Sequence, residues 1–242
     1  MAELAPQISS NVDVLTREFE AITHNLANAN TPGFKRHSIA FRQALEAQQS
    51  VLDEPSGLIV EQRQIDFSQG SLKQTGRSLD LALSGPGFFV VESPQGPLYT
   101  RNGIFHVDTN GQLVDSEGRS VAGEGGPITL PPNVDIEALS IGADGTVKAG
   151  TQTLGQLRVV SFENNLQQLV TAGSGTFNAP AGLTPQTTEQ LIIQQGYQEG
   201  SNVSSVKEMV NMLTVSRLYE ANISFLTARR EASDSLMSVA MG

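Results

Sequence analysis

Apolar residues at Ile8, Val12, Leu15, Phe19, Ile22 and Leu26 follow one another at alternating intervals of four and three. That spacing defines a heptad seam along one face of a helix. Asn11, Asp13, Thr16, Arg17, Glu18 and Glu20 fill the intervening positions, and neither Gly nor Pro interrupts the run. The pattern predicts a helix over residues 7–30, stopped by the breakers Asn28-Ala29-Asn30-Thr31-Pro32-Gly33. A second seam of the same spacing runs through Met209, Met212, Tyr219, Ile223, Leu226, Met237 and Ala240. It predicts a helix over 202–240 with Ser201 or Asn202 as its N-cap. Val203, Val206, Val210 and Leu213 widen its apolar stripe. A helix of that size extends about 60 Å at 1.5 Å per residue. A small domain cannot cover it, so it needs partner helices.

Between the two ends the period changes to two. Candidate strands are Leu79–Leu83, Gly87–Val91, Gly103–Val107, Gln112–Val114, Leu139–Ile141, Thr146–Lys148, Leu157–Phe162 and Gln167–Val170. Asn102-Gly103, Asn110-Gly111, Glu117-Gly118 and Asp144-Gly145 punctuate them as turns. Phe41–Val51 reads as a short helix broken by Pro55-Ser56-Gly57, and the rest through Gly70 reads as extended arm. Residues 180–200 read as the returning arm. The expected class is α+β: two long terminal helices forming a coiled-coil-like module, extended arms, and an inserted all-β domain. The parts are 1–34, the connecting arm 35–75, the β-rich 76–195 and the C-terminal 196–242.

Composition narrows the chemistry. A hydrophobic share of 38% with 23 glycines is enough for a packed core, and no stretch is apolar for the ~18 residues that a bilayer span requires. The first residues lack the basic and apolar regions of a cleavable secretory signal. With no cysteine, disulfides, thiol catalysis and thiolate metal sites are excluded. A net charge of −10 argues against nucleic acid as a partner. Arg119, Lys148 and Arg158 are the only basic residues between 102 and 206, so the β-rich zone is the acidic, solvated part. His24, His37 and His106 are the only histidines, and no Gly-x-Ser-x-Gly elbow, phosphate loop or dinucleotide loop is present. Asp108-Thr109-Asn110-Gly111 lacks the ligand ladder of a calcium loop and reads as a hairpin turn. The Asn-x-Ser triplets at Asn202 and Asn222 read as helix capping or surface residues. No catalytic residue, cofactor or metal is expected.

Three segments resemble the flagellar basal-body rod and hook family. The first is Asn25-Leu26-Ala27-Asn28-Ala29-Asn30-Thr31-Pro32-Gly33-Phe34-Lys35-Arg36. The second is Gly85-Pro86-Gly87-Phe88-Phe89-Val90-Val91 with Tyr99-Thr100-Arg101-Asn102-Gly103-Ile104-Phe105 and Asp108, Gly111, Leu113 and Val114. The third is Gly196-Tyr197, Glu199, Ser201-Asn202-Val203, Glu208-Met209-Val210, Met212, Arg217 and Tyr219-Glu220-Ala221-Asn222. Together they cover about half of the chain. The resemblance implies a structural subunit that polymerises through its terminal helices into an axial shaft carrying torque from motor to hook. It implies export through the flagellar type III channel, a rod crossing the periplasm, and as partners further copies, other rod subunits, hook proteins and ring proteins. The short arm between Phe41 and Gly70 resembles proximal-rod subunits, while Ser84–Phe89 is equally at home in distal-rod subunits. The competing reading is a secreted β-domain hydrolase with helical oligomerisation arms, which leaves the paired terminal seams unexplained. A β-branched residue at Gly33 is expected to disturb assembly more than the β domain, because Thr31-Pro32-Gly33 sets the exit from the helix.

Overall fold

The computed structural model describes residues 4–43, 59–132, 134–186 and 191–241, and these residues divide between two compact units. One unit holds residues up to Ala27, His37–Ile65, and Ser204 onward. Helix α1 spans Leu4–Ala27 and helix α2 spans Ser205–Met241. The class is α+β, with these two helices and a set of small sheets.

The apolar cluster of this unit is Leu15, Ile22 and Val215, with Leu26 and Met212 packed against it. Val12 is half-buried and Phe19 is exposed. On α2 the covered stripe runs through Glu208, Met212, Val215, Asn222 and Leu226, spaced as a heptad line requires. It lies one position to the side of Met209 and Ile223, both of which are exposed together with Tyr219. Two of its members are polar, so an apolar count along α2 does not find it. The start of α2 also differs from the sequence expectation. The Glu208 amide donates to the Ser204 carbonyl, which places the cap at Ser204 rather than at Ser201 or Asn202. Glu208 in the first turn suits the positive end of the helix dipole.

The first helix ends at Ala27 rather than residue 30, because Asn28, Ala29 and Asn30 already form a turn. Beyond the turn, Arg36–Gln43 is a strand paired with Ile59–Asp66. The expected helix over Phe41–Val51 is therefore strand as far as Gln43; its remainder lies outside the described residues. Ile39 and Phe41, two positions apart and both good strand formers, favour the extended form. Asn25 is fully buried, and its side chain copies a strand neighbour: Nδ2 donates to the His37 carbonyl at 2.7 Å, and Oδ1 accepts from the His37 amide at 2.8 Å.

The other unit holds Asn28–Arg36 and Asp66–Val203. Its largest sheet is antiparallel, in the order Val159–Val160, Phe88–Ser93, Gly96–Thr100, Thr176–Asn178, Val170–Gly173. Phe88–Val91 is buried on both faces, which is why it reads as an unbroken apolar run. Phe89 faces the main core with Leu81, Phe105, Leu113, Val121 and Ile193. Phe88 instead joins an edge-to-face aromatic layer with Phe67, Phe162 and Phe177. The returning segment is woven into this unit: Ile192–Gln195 pairs with Leu81–Ser84, and Tyr197–Glu199 pairs with Leu72–Gln74. Gln167 lies in a 3-10 helix, Glu163–Gln168, not in the expected strand.

Tight turns close on aspartates. Asp108 Oδ1 accepts from the amides of Asn110 (2.9 Å) and Gln112 (2.7 Å), and Gly111 takes φ +78. Asp144 accepts from the Thr146 amide and hydroxyl. Among the described residues no group of His, Asp and Glu could hold a metal ion, and Asp108 is committed to its turn. The Gln112 amide holds the Asp108 carboxyl below its ordinary value, and the Thr146 hydroxyl does the same for Asp144. Both turns are therefore braced above the ordinary carboxylate pKa of 3.8 and should loosen only as pH falls through the depressed values. An acid titration followed at the Gln112 and Thr146 amide resonances should show midpoints below 3.8; midpoints at or above it would contradict the bracing.

Candidate functional site

The turn after α1 is built by local polar groups. The Thr31 amide donates to the Asn28 carbonyl at 3.1 Å, and the Thr31 hydroxyl donates to Asn28 Oδ1 at 3.2 Å. Pro32 keeps Thr31 from continuing as helix. Gly33 takes φ +70, and its amide donates to the carbonyl of Glu199 at 2.7 Å. A Cβ at Gly33 would fall on the backbone of Arg101 and Asn102. So Gly33 is required by close packing inside the β-containing unit, and a side chain there damages that unit directly, contrary to the sequence expectation.

The turn delivers Lys35 into the interior. Its ammonium is fully buried and donates to Glu199 Oε1 at 2.6 Å and to the Ser68 carbonyl at 2.7 Å. Glu199 is held by the strand pairing Glu199↔Leu72. Its Oε1 also accepts from the Gly70 amide at 3.0 Å, and its Oε2 accepts from Arg101 Nη1 at 3.3 Å. Arg101 Nη2 donates to the Gly85 carbonyl at 2.9 Å, and the guanidinium stands over the Phe88 ring at 5.3 Å. Asn202 completes the clasp. Its Oδ1 accepts from the Arg36 amide at 2.7 Å, and its Nδ2 donates to the carbonyls of Asp66 and Ser68. A Cβ at Gly70 would fall on the Gly200 carbonyl, so two glycines let these segments touch.

All three motif segments thus converge on one carboxylate. Burial pushes the Lys35 ammonium below its ordinary value, with Glu199 pulling the other way. Burial likewise lowers Arg101 against the pull of Glu199. The clasp has no nucleophile or general base with a substrate cleft around it. It is a structural joint made from buried charge, and a carboxylate with three donors suits that task.

The other motif residues support this joint or lie apart from it. Asn30 is exposed in the turn. Tyr99 stacks edge-on to Phe162 at 4.8 Å, and Thr100 Oγ1 accepts from the Asn102 amide. Gly103 lies against the Leu81 carbonyl and Gly87 against Leu191. Phe105 packs edge-on to Phe89 at 5.2 Å. Ser201 Oγ accepts from the Val203 amide. Glu208, Tyr219 and Asn222 lie on α2, where Asn222 Nδ2 donates to the Leu218 carbonyl. Lys35 and Glu199 were quoted within the motifs but not singled out as site residues. A lone Lys and a lone Glu 164 positions apart give no sequence signal of their pairing.

Residues 82–149 match the family model described as the flagellar hook protein FlgE/F/G D1 domain, and residues 194–239 match the flagellar basal body rod FlgEFG protein C-terminal model. A flagellar basal-body rod protein FlgG of Buchnera aphidicola subsp. Schizaphis graminum is 38% identical over 249 residues, spanning 90% of this chain and 88% of the relative. A rod protein FlgF of Caulobacter vibrioides is 32% identical over 225 residues, with 91% of each chain covered. FlgF of Salmonella typhimurium is 34% identical over 223 residues, covering 86% of this chain and 87% of the relative. The chain belongs to the flagellar basal-body rod family. In this rod-family chain the two matched stretches contain Arg101 and Glu199 respectively, so the clasp joins them. It is a structural protein and not an enzyme.

Glu199→Gln would leave two buried cations without their carboxylate. It should lower the unfolding free energy of the full chain by about 3–5 kcal/mol, read by urea denaturation. Gly33→Val should add about 1–3 kcal/mol of backbone strain before any clash is relieved, and its melt should fall as well. A wild-type melt in either variant would refute the clasp as the joint of this unit.

Proposed function

We propose that this chain is a subunit of the flagellar rod that polymerises through its terminal helices into an axial shaft transmitting torque from motor to hook. The observation that carries the proposal is the state of α2. Val206, Leu213 and Phe225 are 73%, 62% and 58% exposed, and Met209, Val210, Leu218, Tyr219 and Ile223 are exposed beside them. These side chains surround the helix rather than lining the stripe that α1 covers. Burial against several neighbouring helices is what such a distribution demands.

The proposal extends to the parts and the surroundings. Residues 1–34 and 196–242 supply a coiled-coil-like axial core, 35–75 the arm, and 76–195 the β-rich domain. Seam residues Ile8, Val12, Leu15, Phe19, Ile22 and Leu26 on α1, with Met209, Met212, Tyr219, Ile223 and Leu226 on α2, are the proposed packing positions. Its partners are further copies, other rod subunits, hook proteins at the end and ring proteins around the shaft. The chain reaches its place in the periplasm through the type III export apparatus; no described helix is long and apolar enough to cross a membrane. We place it in the proximal rod because the arm is short; the distal rod is the alternative. Epitope labelling of isolated basal bodies decides between the inner and outer ends.

Ile223→Asp puts a carboxylate into the proposed seam, where leaving it unpaired costs several kcal/mol at each repeated contact, roughly 3 or more. It should be exported, soluble and non-motile, with an unchanged melt of the β-containing unit. Glu220→Lys, on the exposed side, should be milder. Motility and rod yield in the two strains check this; normal rods from Ile223→Asp would defeat the helical packing.

A further inference from the structure

The chain enters or leaves the β-containing unit at four places: Ala27–Asn28, Arg36–His37, Ile65–Asp66 and Val203–Ser204. A single peptide passage is a swivel, because its two backbone torsions are soft. Several passages resist twisting together only when their roots are fixed to one another. Three of the four roots, Arg36, Asp66 and Val203, meet at one side chain.

That side chain is Asn202, and it uses both ends of its amide. Oδ1 accepts from the Arg36 amide at 2.7 Å. Nδ2 donates to the Asp66 carbonyl at 2.7 Å, to the Ser68 carbonyl at 3.2 Å and to Ser68 Oγ at 3.1 Å. The backbone amide of Asn202 donates to the Phe34 carbonyl at 3.4 Å, and Val203 follows directly. The fourth root is tied in through the turn, where the Phe34 amide donates to the Thr31 carbonyl and the Thr31 amide to that of Asn28. The geometry calls for an acceptor on one side and a donor on the other, which a primary amide supplies and a carboxylate does not. The ions of the clasp are buried among side chains; Asn202 is half-buried and bonds mainly to backbone at the roots.

We propose that Asn202 is a positioning residue for torque: it locks the roots of these passages together, so that a twist applied to the helices is carried into the β-containing unit instead of being lost in swivelling linkers. The torque role rests on the reading as a rod subunit. The lock itself stands on the hydrogen bonds alone.

The chain has no cysteine, so Thr23→Cys on α1 and Lys148→Cys on the strand Thr146–Ala149, both at exposed positions, take spin labels nowhere else. In the full chain, the width of the distance distribution between the labels reports the swivelling. Asn202→Ala should broaden it and speed amide exchange at Arg36 about tenfold, the worth of one hydrogen bond. Gln195→Ala is the control. It removes bonds to the Ser78 and Leu139 carbonyls and the Ile141 amide, in the same unit but away from the roots, and should leave both readouts at the wild-type value. Asn202→Asp keeps the acceptor for Arg36 and loses the donor, so it should broaden the distribution with Arg36 exchange near the wild-type rate. An unchanged width in Asn202→Ala, or equal broadening in Gln195→Ala, overturns the lock. In cells, swimming speed of Asn202→Ala should fall more steeply than wild type as the viscosity of the medium rises, with Gln195→Ala keeping the wild-type slope. A wild-type slope alongside a broadened distribution overturns the torque role while the rod reading stands. Wild-type chain absent from isolated rods overturns the rod reading and the torque role together, and the distance widths then decide the lock.

Discussion

A carboxylate removed from water must be surrounded by donors, and Glu199 is surrounded from three directions in the chain. Lys35 comes from the turn after α1, Gly70 from the segment before the β core, and Arg101 from the end of the strand Gly96–Thr100. None of these contacts is worth much alone once the desolvation of each ion is counted. Their value lies in the shared carboxylate: removing Glu199 strands Lys35 and Arg101 together in a medium that penalises unpaired charge. The glycines at 33 and 70 follow from this, since only bare backbone lets the segments approach closely enough for the ions to meet.

The helical unit solves a different problem. Its apolar cluster is small, three buried residues with two helpers, and the covered stripe of α2 includes Glu208 and Asn222. A stripe with polar members gives direction at the expense of adhesion, as a buried polar position does in coiled coils. Most of the apolar surface of α2 is left over for other contacts, which is consistent with a helix whose main partners belong to neighbouring molecules.

Periodicity made the two helices legible, because a 3/4 spacing sustained over many turns has no strand counterpart. Strands with strong alternation or short apolar runs were legible too: Leu139–Ile141 coincides with its expectation, and the expected Gly87–Val91 overlaps Phe88–Ser93 from Phe88 onward. The strand over Phe41–Gln43 was misread as helix because its pairing partner begins at Ile59, beyond a long intervening segment. The covered line of α2 was legible only at Met212 and Leu226, because Glu208 and Asn222 look like surface residues in sequence. The clasp was visible only as motif. Lys35, Arg101, Glu199 and Asn202 all stand in the motif segments, but a Lys–Glu pair separated by most of the chain acquires meaning only when strand pairing sets Glu199 beside Leu72.

The two-sided burial of Phe88–Val91 has a consequence for strand alignment. In a half-solvated strand, sliding by one residue throws apolar groups into water, so hydrophobicity itself polices the alignment. Here Phe88 and Phe89 are aromatic on opposite faces and Val90 and Val91 aliphatic, so a one-place slip keeps the middle of the strand apolar and is marked chiefly at its ends, where Gly87 or Glu92 would enter a buried position. To those end marks the fold adds one with a unique address. Phe89 pairs with Thr100, and Arg101, the next residue, is fixed to Glu199. The ion pair thus acts as a peg beside a ruler marked only at its ends, holding an alignment that the four inner residues specify loosely.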